Sequence, residues 1–225
     1  PTRNLKMATT KVIDILSRAS IILQDDTNVR FPNVELLKFL NDAQKEVALH
    51  RPDSTMVNTA FDCADGSKQT LPTAALRLVE IIRNVGGRAI TQVNRRILDE
   101  TLPNWHESVA GNNRIEHYIY DAADPKNFYV FPKAVNGTDS VEMLYSSSPT
   151  EIDISDFSSS TTVIGIDDIY VNCLLDYILY RSYQKDSEFA GNPERAMMHY
   201  SSFSNALAIK TQADSAITPQ PRDGR

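Results

Sequence analysis

The stretch Asp167–His199, DDIYVNCLLDYILYRSYQKDSEFAGNPERAMMH, decides the fold. Its first half sets Val171, Leu174, Leu175, Ile178 and Leu179 at the spacing of one helix face. With Asp167 as N-cap, Ile166 and Val171 take the N′ and N4 positions of a hydrophobic staple. Asp168 adds a negative charge to the first turn, where the helix dipole favours it. Gly191 can take the left-handed conformation that closes a helix; Asn192 can cap the next one and Pro193 suits its first turn. So short a connection makes the two helices antiparallel neighbours. The stretch reads as a helical hairpin and as the spine of the fold.

Outward from it, the hairpin's second helix is predicted from Pro193 to about Lys210, burying Ala196, Met197, Tyr200, Phe203 and Leu207. A first helix is expected from about Leu5 to Leu23, on the stripe Val12, Ile15, Leu16, Ala19, Ile22 and Leu23. Turn residues follow at 24–28. Asn33 is the expected cap of a second helix reaching His50, with Leu36, Leu37, Leu40, Ala43 and Val47 inward. Arg51-Pro52 stops it, because a residue before proline is biased away from the α region.

Between these helices the pattern changes to short β-prone pieces: Met56–Cys63, Lys68–Leu71, Leu78–Val85, Arg88–Val93, His117–Tyr120, Phe128–Phe131 and Ser140–Tyr145. Gly86-Gly87 and Asn136-Gly137 are the strongest hairpin signals, since a type I′ turn needs positive φ at both central positions. One short helical turn is expected near Arg95–Glu100. The predicted class is α+β: an antiparallel four-helix bundle (residues 1–55 plus 165–211) with an inserted antiparallel β subdomain (56–150). A serine-rich linker loop at 151–164, whose composition predicts a mobile or partner-ordered loop, and an extended C-terminal tail at 212–225 complete the expectation.

Composition limits the function classes. A chain of 225 residues with 41% hydrophobic and 23% charged residues is an ordinary soluble globular one. No apolar run approaches the ~20 residues a membrane helix needs, so no membrane partner is expected. The first ten residues contain no apolar region of the secretory kind. Cys63 and Cys173 read as buried free thiols of a reducing compartment. The net charge of −6 argues against broad nucleic-acid binding.

Catalytic signals are weak. There is no GxxxxGK[ST], GxGxxG, GxSxG or HExxH. His106-Glu107 beside Trp105 lacks a third, orienting group, and Glu116-His117 alternate to opposite faces of a strand. Asp167-Asp168 is explained by helix capping rather than by a metal. Asn136-Gly137-Thr138 reads as a turn rather than as a glycosylation site. No catalytic residue, cofactor or metal is expected. The segment Arg77–Arg96 sets five arginines against one acid; Arg83, Arg88, Arg95 and Arg96 are its candidates for contact with an anionic partner or for a solvated face. Tyr177 and Tyr180 fall near one helix face and are candidates for core or subunit contact.

Two blocks carry a resemblance. Asn28-Val29-Arg30-Phe31-Pro32 with Leu36-Leu37, Leu40-Asn41-Asp42-Ala43-Gln44 and Leu49-His50-Arg51-Pro52-Asp53 form the first. Tyr177-Ile178-Leu179-Tyr180-Arg181-Ser182-Tyr183, Lys185-Asp186, Glu188-Phe189 and Gly191-Asn192 form the second. Together they resemble the head-to-tail adaptor (neck) proteins of short-tailed phages. The resemblance implies a structural virion protein, made in the host cytoplasm and placed at the head–tail interface. It would form a dodecameric ring of itself between the portal protein and the tail nozzle or tail tube, with DNA passing without sequence-specific binding. It also implies that the C-terminal tail, anchored by Pro219, Pro221 and Arg222, binds the portal. Residue chemistry alone leaves open a monomeric regulatory binding module, or an enzyme with its site in the β subdomain.

Overall fold

The computed structural model describes residues 8–107, 114–189 and 191–217. They divide into two compact units: a β unit, Thr55–Ser148, and a helical unit built from the segments up to Ser54 and from Pro149 onward.

In the helical unit, α1 spans Val12–Ile22, α2 Asn33–His50, α4 Val171–Lys185 and α5 Asn192–Ile217. α4 is the hub, and α1, α2 and α5 each pack on it. Leu174 and Ile178 are fully buried, at 0% exposure, because they point from the hub into the common core. Asp167 caps the helix start as the sequence predicts, accepting a bond from Ile169 N at 2.9 Å. The segment 149–166 closes the remaining side of this core with Ile152, Ile154, Phe157, Ile164 and Ile166. Its backbone is satisfied by α2: Asn41 exchanges two bonds with Ile152 (2.8 and 3.0 Å), and Gly165 N donates to Gln44 Oε1 at 2.7 Å. Those bonds let an irregular segment lie on a helix without stranding its amides.

The β unit is two packed sheets. In chain order the strands are β1 (Met56–Asp62), β2 (Gly66–Thr70), β3 (Ala75–Asn84), β4 (Thr91–Gln92), β5 (His117–Tyr120), β6 (Asn127–Ala134) and β7 (Ser140–Ser147). One sheet has the order β1-β7-β3, the other β2-β6-β5-β4. Alternate residues of β6 and β7, among them Phe128, Val130, Val141 and Met143, are fully buried where the sheets face each other. A short helix, α3 (Arg95–Thr101), is capped by Asn94, whose Oδ1 accepts from Arg96 N at 2.9 Å. Beside it Trp105 is wholly buried with Leu98 and Ile119, its indole N–H donating to Asp99 at 2.8 Å.

The four-helix bundle with a small antiparallel insertion is therefore incorrect. Among the described residues there are five helices and two sheets of seven strands. α1 and α5 meet α4 rather than one another, so the core closes on the 149–166 bridge instead of on a fourth helix face. β4 and β5 run parallel, because the chain returns through α3 before β5. α1 also starts later than expected. Thr10 and Lys11 are drawn into strand-like pairing with 162–164 (Val12 N to Thr162 O, 2.9 Å; Ile164 N to Thr10 O, 3.2 Å). The extended tail expected from residue 212 is helical to Ile217. Nothing from Thr211 to Ile217 breaks a helix; the first proline is Pro219.

Leu174→Ala should cost about 2–5 kcal/mol in urea unfolding, since it empties a packed site at the hub. Ile169→Ala, at a residue 63% exposed, should stay within about 0.5 kcal/mol. Equal losses in the two variants would refute the hub.

Candidate functional site

The two sequence blocks, more than 100 residues apart, meet at one end of the helical unit. Between α1 and α2 the chain turns through Gln24 (φ 57°) and Asn28 (φ 53°), both left-handed. Asp25 holds that turn by accepting the amides of Val29 (3.1 Å), Arg30 (2.9 Å) and Phe31 (2.7 Å). Phe31 is buried beneath, while Val29 stands 81% exposed. Opposite lies the α4–α5 turn, where Gly191 has φ 89° and Asn192 donates to the Asp186 carbonyl (3.0 Å) and carboxylate (3.1 Å).

Ion pairs and rings join the turns. Arg30 pairs with Asp186, and its guanidinium lies 4.3 Å from the centroid of the Phe189 ring. Lys185 reaches Glu35 at 2.6 Å and sits 5.6 Å from the Phe31 ring. The two cations are balanced by two carboxylates, and beside the Arg30 edge the large apolar groups left exposed in these turns are Val29 and Phe189, the latter 58% exposed. An exposed aromatic stacked on an arginine is the kind of group that anchors protein interfaces. What the arrangement can do is bind protein.

Tyr177, a candidate subunit contact, is 7% exposed and turned inward, its ring 5.3 Å from Phe203 and 5.7 Å from Tyr180. Burial pushes its hydroxyl pKa up. Tyr180 is half-buried with its ring 5.0 Å from that of Tyr200 and tilted to it, so it alone of the pair reaches the surface. His199, between α4 and α5, contacts Asp176 at 2.9 Å and lies parallel to the Tyr183 ring.

The structure does not bring the four candidate arginines together as a free patch. Arg83 bonds Glu142 at 2.6 Å across the β3–β7 pair, and Arg88 meets Glu116 at 3.3 Å. Arg95 and Arg96 pair within α3 to Asp99 (3.4 Å) and Glu100 (3.2 Å), and Arg95 also covers Tyr129. The positive excess along the sequence is thus met by Glu142 on β7, by Glu116 just before β5 and by two acids of α3 itself. Pro219, Pro221 and Arg222 lie outside the described residues.

Reactive groups are muted. Burial, with Asp139 and Asp62 nearby, pushes the Cys63 thiol up to about 12; burial, with Asp176 beside it, likewise raises Cys173. Such thiols are inert at neutral pH. His106 Nδ1 meets Ser67 Oγ at 2.7 Å, yet no carboxylate among the described residues bonds its other nitrogen. The exposed knob of Val29, Arg30 and Phe189 is legible in the sequence only as resemblance. Arg30, Phe189 and Asp186 were named for their family likeness, but no local signal pairs residues so distant.

Asp168 ties the N-terminal segment to α4. It accepts bonds from the Thr9 hydroxyl (2.7 Å), the Thr9 amide (2.9 Å) and the Thr10 amide (3.0 Å). These bonds hold its carboxyl well below the usual carboxylate range. A depressed folded pKa stabilises above the unfolded value, about 4, and that contribution is lost as pH falls through the folded value. The Thr9 and Thr10 amide resonances should therefore hold steady from neutral pH down to about 4 and shift only below it. A midpoint at the ordinary carboxylate pKa would contradict this.

A family model described as SU10 adaptor protein matches residues 10–223. No curated protein matches the chain.

Proposed function

The chain belongs to the SU10 adaptor protein family, a virion component of phages, and we propose that it is the head-to-tail adaptor joining portal to tail. In this reading copies of the chain form a ring, a dodecamer, between the portal protein and the tail nozzle or tube. DNA passes through its channel without sequence-specific contact. The observation that carries the reading is the knob of Val29, Arg30 and Phe189, where the two adaptor-like blocks converge and stay exposed. A neighbour's surface covers this knob and Tyr180 in the assembled ring. The C-terminal residues Pro219, Pro221 and Arg222 reach the portal.

The paired arginines fit the same reading. Exposed i,i+4 pairs such as Arg95–Asp99 and Arg96–Glu100 are worth only about 0.3–0.5 kcal/mol, so a neighbour's carboxylate can replace the internal one. With the four candidate arginines paired and a net charge of −6, the chain repels phosphate and lets DNA slide past. Among the described residues no helix is long and apolar enough to cross a membrane.

Light scattering of the purified chain with purified portal should report a multi-copy assembly. The double substitution Val29→Asp with Phe189→Ala should weaken joining by roughly 30-fold or more, the cost of losing an interface anchor. Its unfolding midpoint should stay near that of the parent, since both side chains are exposed. Normal assembly by this variant would remove the knob from the interface, and a chain that stays single beside portal would remove the ring.

A further inference from the structure

Three of the four sheet edges in the β unit are blunted against pairing. β2 has five residues, a register shift and the exposed Lys68. β4 has two residues. β3 is broken by three register shifts, and the returning chain covers its far end, with Asn84 N bonding Arg88 O and Ile90 N bonding Ile82 O. β1 carries none of these devices. Met56–Asp62 pairs with β7 in unbroken register, from Met56↔Ser146 to Asp62↔Ser140, and holds no lysine, arginine or proline. Among the described residues it is the terminal strand of its sheet. A regular, unprotected edge is a template for another strand.

We propose that β1 pairs with β1 of a second copy, antiparallel, about a twofold axis at Thr59. In that register Val57 faces the second copy's Phe61 and Thr59 faces Thr59 on one side of the ribbon. Asn58 faces Ala60 and Met56 faces Asp62 on the other. Aromatic with β-branched, and threonine with threonine, are favourable cross-strand pairs. Asp62 is the one formal charge of the strand, and it lies opposite a methionine. A chain of net charge −6 can therefore meet itself along this edge with no like charges opposed. A ribbon this short buries less than a standard interface, so the association is weak and depends on concentration. The contact is isologous and cannot repeat around a cyclic ring, whose contacts are heterologous. It belongs to the chain outside the ring and does not rest on the adaptor reading.

Charge at position 59 tests this directly. Sedimentation of the full chain over a concentration series should show a monomer–dimer equilibrium. Hydrogen exchange at Val57–Phe61 should slow as concentration rises. Thr59→Glu and Thr59→Lys should each weaken dimerisation roughly fivefold or more, because each opposes two like charges across the axis. An equimolar mixture of the two should restore the dimer, which a folding defect cannot do, and Thr59→Val should leave it intact. A monomer at every concentration, a dimer kept by both charged variants, or a mixture of folded variants that stays monomeric would each overturn the proposal. Should the charged variants fail to fold, concentration-independent exchange at Val57–Phe61 in the parent chain overturns it equally.

Discussion

Burial of the α4 stripe is the interaction on which the helical unit depends. The core that holds Leu174 and Ile178 draws residues from α1, α2, α5 and the 149–166 bridge alike, and full burial of each such side chain contributes about 1.5–3 kcal/mol. Against a net stability of order 5–15 kcal/mol, few other contacts matter as much. The bridge belongs to this core only because Asn41 and Gln44 satisfy its backbone. A polar pair on an otherwise apolar helix face thus decides that an irregular segment, not a fourth helix surface, completes the packing.

From the hub the geometry passes outward to the knob. α4 ends at Lys185, and its closing turn brings Asp186 and Phe189 against the α1–α2 turn that Asp25 holds. Arg30 and Lys185 are neutralised where they sit, and Val29 and Phe189 stay exposed beside them on an acidic chain. The β unit repeats the theme. Arg83 and Arg88 take carboxylates on β7 and beside β5, and Arg95 and Arg96 take them within α3. With these four arginines committed internally, the segment offers no free cluster of cations to hold a phosphate backbone. That suits the proposed passage of DNA.

Much of the helical hairpin was legible in the sequence. Its apolar period and the stop at Gly191-Asn192-Pro193 are local signals, and Asp167 caps as its position demands. The end of α5 was not, since Gln212 reads as tail by its polarity although nothing before Pro219 prevents a helix. The start of α1 failed for the opposite reason. A helical stripe continues toward the N-terminus, but Asp168 and residues 162–164, far along the chain, draw Thr9–Lys11 into extended backbone.

The candidate site divides along the same line. Sequence by itself determined where the main helices and strands lie, apart from the ends of α1 and α5, where the chain turns, and that the residues of two distant blocks resemble an adaptor's. Those properties depend on neighbours within a few positions, where periodicity and turn chemistry act. Tertiary structure alone decided that β7 lies between β1 and β3 and that Arg83 finds Glu142. It also set Arg30 on Asp186 and Phe189, and turned Tyr177 inward while Tyr180 reaches the surface. Strand order and ion pairing depend on which surfaces the folded core brings within a few ångströms, and no local pattern encodes that proximity.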